Sequence, residues 1–207
     1  MGDGNLAPLL YFYYFTDFLQ NNLWIVFVFI AVLIILVIIA TYNSLVRARF
    51  RVGEAWSGID VQLRRRASLI PNLVETVKGY ARHEAHVFED VTRHRSNLLQ
   101  AKGASEAAKA DQELTQALGR LMAVAENYPQ LRASENFMQL QNELSDVEQK
   151  IAYARQFYNG NARDYNARIQ SFPTLILANL FKFQMVEFFR TDEQGRAELK
   201  VDFSSLK

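Results

Sequence analysis

The chain of 207 residues contains no cysteine. That excludes disulfide staples, thiolate nucleophiles and cysteine-ligated metals. Proline is scarce, with four in the chain, and none falls between the apolar run described below and Pro71, so one helix can continue a long way. Charge is missing in one place: no charged residue occurs between Asp17 and Arg47, and no Lys or Arg precedes Arg47. Catalytic signatures are missing as well. There is no Gly-rich phosphate loop and no Gly-x-Ser-x-Gly elbow. His83 and His86 stand three apart, whereas a zinc-protease pair needs a spacing of four with Glu between. The Glu-x-x-His pairs of a di-iron bundle are absent too. The expectation is therefore a protein that is not an enzyme, with no cofactor, no metal and no catalytic residue. The balance of 23 basic against 22 acidic residues argues against nucleic acid as a partner.

What is present is one dominant apolar run. Leu23 to Ala40 reads LWIVFVFIAVLIILVIIA. A helix needs about 20 mostly apolar residues to cross the hydrocarbon core, and a helix satisfies its own backbone there. The run predicts a single transmembrane helix over Leu23–Tyr42, with Leu23, Trp24, Phe27, Ile30, Leu33, Leu36 and Ile39 as its lipid-facing anchor. A cleaved signal peptide would need a basic start and small residues at a cleavage site. Here the start is acidic, with Asp3 and Asp17, so an uncleaved anchor is expected. Arg47, Arg49 and Arg51 follow the span, and Arg64, Arg65 and Arg66 come later. The positive-inside rule then puts the N-terminus outside and the larger C-terminal part in the cytoplasm. Arg47, Arg49 and Arg51 are the expected headgroup ligands, whereas Arg64–Arg66 lie roughly 30 Å further along a straight helix. That later trio is expected to pair with acids of the same or another subunit.

Four regions follow: a short outer aromatic segment (1–22), the span (23–42), a cytosolic helical bundle (43–189) and a tail (190–207). Leu9–Leu19 reads LLYFYYFTDFL. It is too short to cross and rich in Tyr and Phe, including Tyr11, Tyr13 and Tyr14. It fits an interfacial anchor or a packing surface between subunits. Beyond the span, Leu45, Val52, Trp56, Ile59 and Leu63 form one stripe. Pro71 is expected to break or kink that rod, with a second helix starting near Ser68–Pro71 and carrying Leu73, Val77, Tyr80, Glu84, Val87, Val91 and Leu98 on one face. A turn at Lys102–Ser105 and a third helix near Ala107–Asn127 follow, closed by Pro129. A fourth helix, N-capped by Ser134, carries a heptad seam from Phe137 through Leu144, Val147, Ile151, Tyr158 and Asn161 to Tyr165. Pro173 ends it. Leu175–Phe189 is expected as one more short helix. Ala197, Leu199, Val201 and Phe203 alternate as a short strand or extended tail does. The fold class is all-α: an N-terminal transmembrane helix, then an elongated antiparallel four-helix bundle of the coiled-coil kind.

Asn–Tyr pairs recur at Tyr42–Asn43, Asn127–Tyr128, Tyr158–Asn159 and Tyr165–Asn166, with Asn161 on the seam. Polar side chains at a seam cost stability and can specify register or partner. A satisfied network inside one bundle and a subunit contact or ligand groove at Tyr158, Asn159, Asn161, Tyr165 and Asn166 both remain open. Two long blocks carry a resemblance: YNSLVRARFRVGEAWSGIDVQLRRRASLIPNLVETVKGYARHE from Tyr42, and AVAENYPQLRASENFMQLQNELSDVEQKIAYARQFYNGNARDYNARIQSFP from Ala123. The chain resembles the LemA family of bacterial membrane proteins from the anchor to about Phe189. The aromatic Tyr11–Phe15 extension and Gly160 depart from the family pattern. The resemblance implies one N-terminal span and a cytosolic helical bundle. A related branch builds magnetosome membranes, which implies membrane organisation, and no catalytic residues carry over. The expected function is a membrane-anchored homo-oligomeric scaffold that organises or shapes the membrane, with lipid and further copies as partners. The alternative is an adaptor or regulator of another membrane protein, such as a protease or signalling receptor.

Overall fold

Backbone hydrogen bonding carries the apolar run straight into the polar part of the chain. The computed structural model describes residues 7–81 and 83–190, and every regular element among them is a helix. In order they are α1 (Ala7–Asn21), α2 (Leu23–Lys78), α3 (Ala85–Gln100), α4 (Gly103–Glu126), α5 (Pro129–Arg132), α6 (Glu135–Gln170) and α7 (Thr174–Leu180). Helix α2 has 56 residues, a length of about 84 Å. Its first part is the apolar run. Beyond it Leu45, Val52, Ile59, Leu63, Ile70, Leu73 and Val77 are buried along one side, so the stripe continues with no change of element.

The break expected at Pro71 does not occur, because Pro71 lies inside α2. Proline has no N–H, so the carbonyl four residues earlier loses its helical donor. That carbonyl belongs to Ala67, which is buried, and the Arg95 Nε–H of α3 donates to it at 2.8 Å. A side chain thus supplies the bond that proline removes. The chain turns only after Lys78, and the second helix begins at Ala85 rather than near Ser68–Pro71. Helix α4 starts at Gly103, ahead of the expected Ala107, with Gly103 at φ 78°. Pro129 opens the single turn α5 instead of directly closing α4, which stops at Glu126. Ser134 stands at the N-cap of α6 with extended backbone, but its side chain makes no capping bond. The expected helix over Leu175–Phe189 is shorter. It ends at Leu180, Lys182 takes φ 55°, and residues 183–190 carry no regular structure. The strand expected at Ala197–Phe203 and the tail beyond Arg190 lie outside the described residues.

Helices α2 and α6 pair along most of their length. High-numbered α6 residues meet low-numbered α2 residues: Arg168 with Ser44, Tyr158 with Trp56, Glu148 with Arg66. Helices α3 and α4 cover only the part remote from the apolar run, since Arg95 reaches Ala67 and Asp111 reaches Arg66. Nearer the run, α7 and residues 183–190 occupy the flank, and a single buried apolar cluster runs through both parts.

One ion pair is buried where α2, α4 and α6 meet. The Arg66 and Asp111 side chains are 4% and 6% exposed and lie 2.6 Å apart, and the other guanidinium nitrogen of Arg66 reaches Glu148 at 2.9 Å. Burial pushes the Asp111 carboxyl above its ordinary range, while the Arg66 guanidinium pulls it back. Arg64 pairs with Asp60 at 2.8 Å and Arg65 with Asp146 at 3.6 Å. All three arginines of the later trio therefore meet acids of the same chain.

Two predictions follow from these contacts. Asp111→Ala leaves a buried guanidinium without its closest partner and should cost about 3–5 kcal/mol, whereas Arg66→Met with Asp111→Leu should recover most of that. Thermal unfolding of the full chain in detergent reads both. Arg95→Ala should cost about 1.5–3 kcal/mol by orphaning the Ala67 carbonyl. In a Pro71→Ala background, where residue 71 again offers an N–H, the same change should cost clearly less. Equal costs in the two backgrounds would show that Arg95 does not compensate for the proline.

Candidate functional site

The membrane-facing part carries most of the residues singled out in the sequence. Leu23, Trp24, Phe27, Ile30, Leu33, Leu36 and Ile39 are between 45% and 69% exposed. Among the described residues nothing folds over them. Among the described residues α2 is the one helix long and apolar enough to cross a membrane. Helix α1 precedes it, separated by Asn22, whose side-chain amide donates to the Phe18 carbonyl at 2.8 Å. Tyr11, Tyr13 and Tyr14 project into open space from α1, as do Phe12, Phe15 and Phe18. Arg47, Arg49 and Arg51 are exposed on α2 just past the run. Their distance from Tyr42 is about 8–14 Å along the helix.

The Asn–Tyr pairs of α6 do something periodicity did not reveal. Asn166 accepts from the Val186 N–H at 3.0 Å and donates to the Val186 carbonyl at 2.9 Å. Asn159 does the same to Phe189, at 2.9 and 3.0 Å. The Tyr165 hydroxyl donates to the Gln184 carbonyl at 3.0 Å and the Tyr158 hydroxyl to the Glu187 carbonyl at 2.7 Å. Burial pushes both phenols above their ordinary range, so each keeps the proton it donates. The spacing explains the fit. Seven residues of α-helix rise about 10.5 Å, and three residues of extended chain rise about 10 Å. Each carboxamide offers one donor and one acceptor, as a neighbouring strand would. Two side chains one heptad apart therefore clamp the backbone of residues 184–189. Phe189, 1% exposed, packs near Trp56 with ring centroids 6.5 Å apart.

Of the five α6 residues weighed as a contact surface, four thus hold the backbone of residues 184–189. Asn161 instead donates to the Phe157 carbonyl within α6. The sequence carried half of this signal, the YN pairs one heptad apart. It did not reveal the segment they hold, because an apolar stretch such as Leu175–Phe189 reads equally well as helix. His83 and His86 are exposed. Among the described residues no group of three or more His, Asp or Glu side chains is placed to hold a metal ion. His94, not singled out in the sequence, lies 3.4 Å from Asp90 and 3.3 Å from Glu113. The Arg120 guanidinium holds the Asp90 carboxyl below its ordinary range.

Removing one carboxamide of the clamp leaves a backbone N–H and carbonyl unpaired, at a cost of about 1–3 kcal/mol. Asn166→Ala, and equally Asn166→Asp, which lacks the donor, should speed amide exchange across residues 183–190 while α6 stays protected. Hydrogen-exchange mass spectrometry checks this, and unchanged exchange in that segment would mean the clamp holds nothing.

The comparisons with known proteins agree with this layout. The chain is 27% identical over 180 residues to the magnetosome protein MamQ of Magnetospirillum gryphiswaldense, covering 74% of this chain and 66% of that protein's length. It is 28% identical over 196 residues to magnetosome protein MamQ 2 of Paramagnetospirillum magneticum, covering 80% and 72%. It is 26% identical over 166 residues to protein LemA of Metamycoplasma hominis, covering 80% and 75%. The LemA family profile matches residues 55–203, which include α3 to α7 and the clamp, and so this chain, a membrane-associated helical protein, belongs to the LemA family.

Proposed function

We propose that this chain is a non-enzymatic scaffold, anchored in the bacterial cytoplasmic membrane, whose copies associate and organise or shape the bilayer. Its N-terminus lies outside. Helices α2, α3, α4 and α6 work in the cytoplasm as an antiparallel four-helix bundle. The observation that carries the reading is the uncovered aromatic α1. Together α1 and the apolar run exceed 50 Å, a length of roughly 22 Å plus 30 Å. A hydrocarbon core of about 30 Å accommodates only the run. Helix α1 then lies at the outer interface, where six exposed aromatic side chains between Tyr11 and Phe18 offer a packing surface. Exposed apolar patches of this kind mark interaction sites. The Arg collar at Arg47, Arg49 and Arg51 suits anionic headgroups and sets the orientation.

The test is the mass of the full chain in mild detergent, corrected for bound detergent, beside a variant lacking Met1–Phe18. A uniform assembly that shrinks on truncation is the expected result. A monomer in both forms, in several detergents and in nanodiscs, would sink the scaffold.

A further inference from the structure

The span ends at Tyr42, and the segment after α6 folds back to that same height. The Tyr42 ring lies 4.9 Å from the Phe181 ring and 5.9 Å from the Phe183 ring, centroid to centroid. Arg168, near the end of α6, donates to the Ser44 hydroxyl at 3.1 Å. The segment from Arg168 to Phe181, which holds α7, therefore begins and ends against α2 at the last residues of the span. In α7 a single residue, Ala178, is buried. Around it Phe172 is 81% exposed, Leu175 39%, Ile176 59%, Leu180 69% and Phe181 49%. Ser171 to Phe181 contains no charged residue. Basic side chains bound the patch, with Arg168 before it, Lys182 after it and Arg47 and Arg49 beside Ser44 on α2.

We infer that α7 and its flanking loop are a second membrane contact, lying in the interface of the leaflet from which α2 emerges. An apolar centre with a basic rim is the chemistry of a segment that buries its apolar side among acyl chains and its cations among phosphates. The occupant is the bilayer because the patch is continuous with the span through the Tyr42–Phe181 contact. Any lipid surrounding the span at Tyr42 already touches it. The inference rests on the reading that α2 crosses the membrane. Its consequence is mechanical. A rod held by the span alone is free to tilt, whereas one held also by α7 keeps a fixed angle to the bilayer. The clamp at Asn166 and Asn159 transmits that hold to α6, because residues 183–190 follow directly from α7.

The absence of cysteine allows single nitroxide labels in the full chain. Ile176→Cys and Leu180→Cys are labelled in nanodiscs containing phosphatidylglycerol, with Leu33→Cys in the span and Lys109→Cys as standards. Lys109 lies two positions from Asp111, which meets Arg66, about 36 Å along α2 from Tyr42. The accessibility ratio of oxygen to a nickel chelate is read at each site. The expected result is that residues 176 and 180 shift to the lipid side with residue 33. If they match residue 109 while residue 33 reads lipid, the second contact is wrong and the span stands. If residue 33 also reads water, the membrane reading fails and takes the inference with it. Spin–spin broadening at 176 and 180 that disappears on dilution with unlabelled protein would show another copy covering the patch, and would overturn the bilayer as its occupant.

Discussion

The rest of the structure depends on α2 remaining one hydrogen-bonded helix from Leu23 to Lys78. In lipid a backbone has no water to turn to, so the ladder within the helix is obligatory there. Outside lipid it persists because one face is buried against α6 for most of its length. The single defect is at Pro71, and the Arg95 side chain satisfies the carbonyl it leaves behind. One residue before Ala67, the owner of that carbonyl, Arg66 binds Asp111 of α4 and Glu148 of α6. Residues 66 and 67 are thus a polar crossing point at which α2, α3, α4 and α6 are tied together. A continuous rod of this kind hands the orientation of the span directly to the domain.

The two parts of the domain solve the same packing problem differently. Away from the membrane, α3 and α4 cover the apolar flank of the α2–α6 pair. Alanines at 104, 107, 108, 110 and 117 of α4 are buried, and such small side chains let helices approach closely. Nearer the membrane no long helix is available. The flank is covered by residues 183–190, whose backbone would be left unpaired without help. Asn159 and Asn166 act as stand-in strand neighbours, and the tyrosines beside them bind the carbonyls of Glu187 and Gln184. This arrangement recognises backbone rather than side chains. It also holds the chain that follows α7, whose Phe181 and Phe183 rings lie against Tyr42.

Much of this was legible in the sequence. Span, helical stripe and α6 seam are local properties. An apolar run of 18 residues without charge marks a candidate span from composition alone, and a three–four repeat defines a face before any partner is chosen. Tyr158–Asn159 and Tyr165–Asn166 stood out for the same reason, as polar groups on an apolar seam. Pro71 misled, because the usual rule concerns the helix alone and takes no account of a donor 28 positions away. The segment after α7 misled because its composition suits helix and extended chain equally.

What the sequence by itself determined is therefore the all-helical character, the position of the span and the buried faces of α2 and α6, since each is set by period and length within one segment. What only the tertiary structure decided is the continuity of α2 through Pro71, the end of α7 at Leu180 and the object held by Asn159 and Asn166. Each of these turns on a hydrogen bond or a packing contact between residues far apart in the chain. A backbone group's partner is a matter of geometry in the folded state, and no local pattern of residues specifies it.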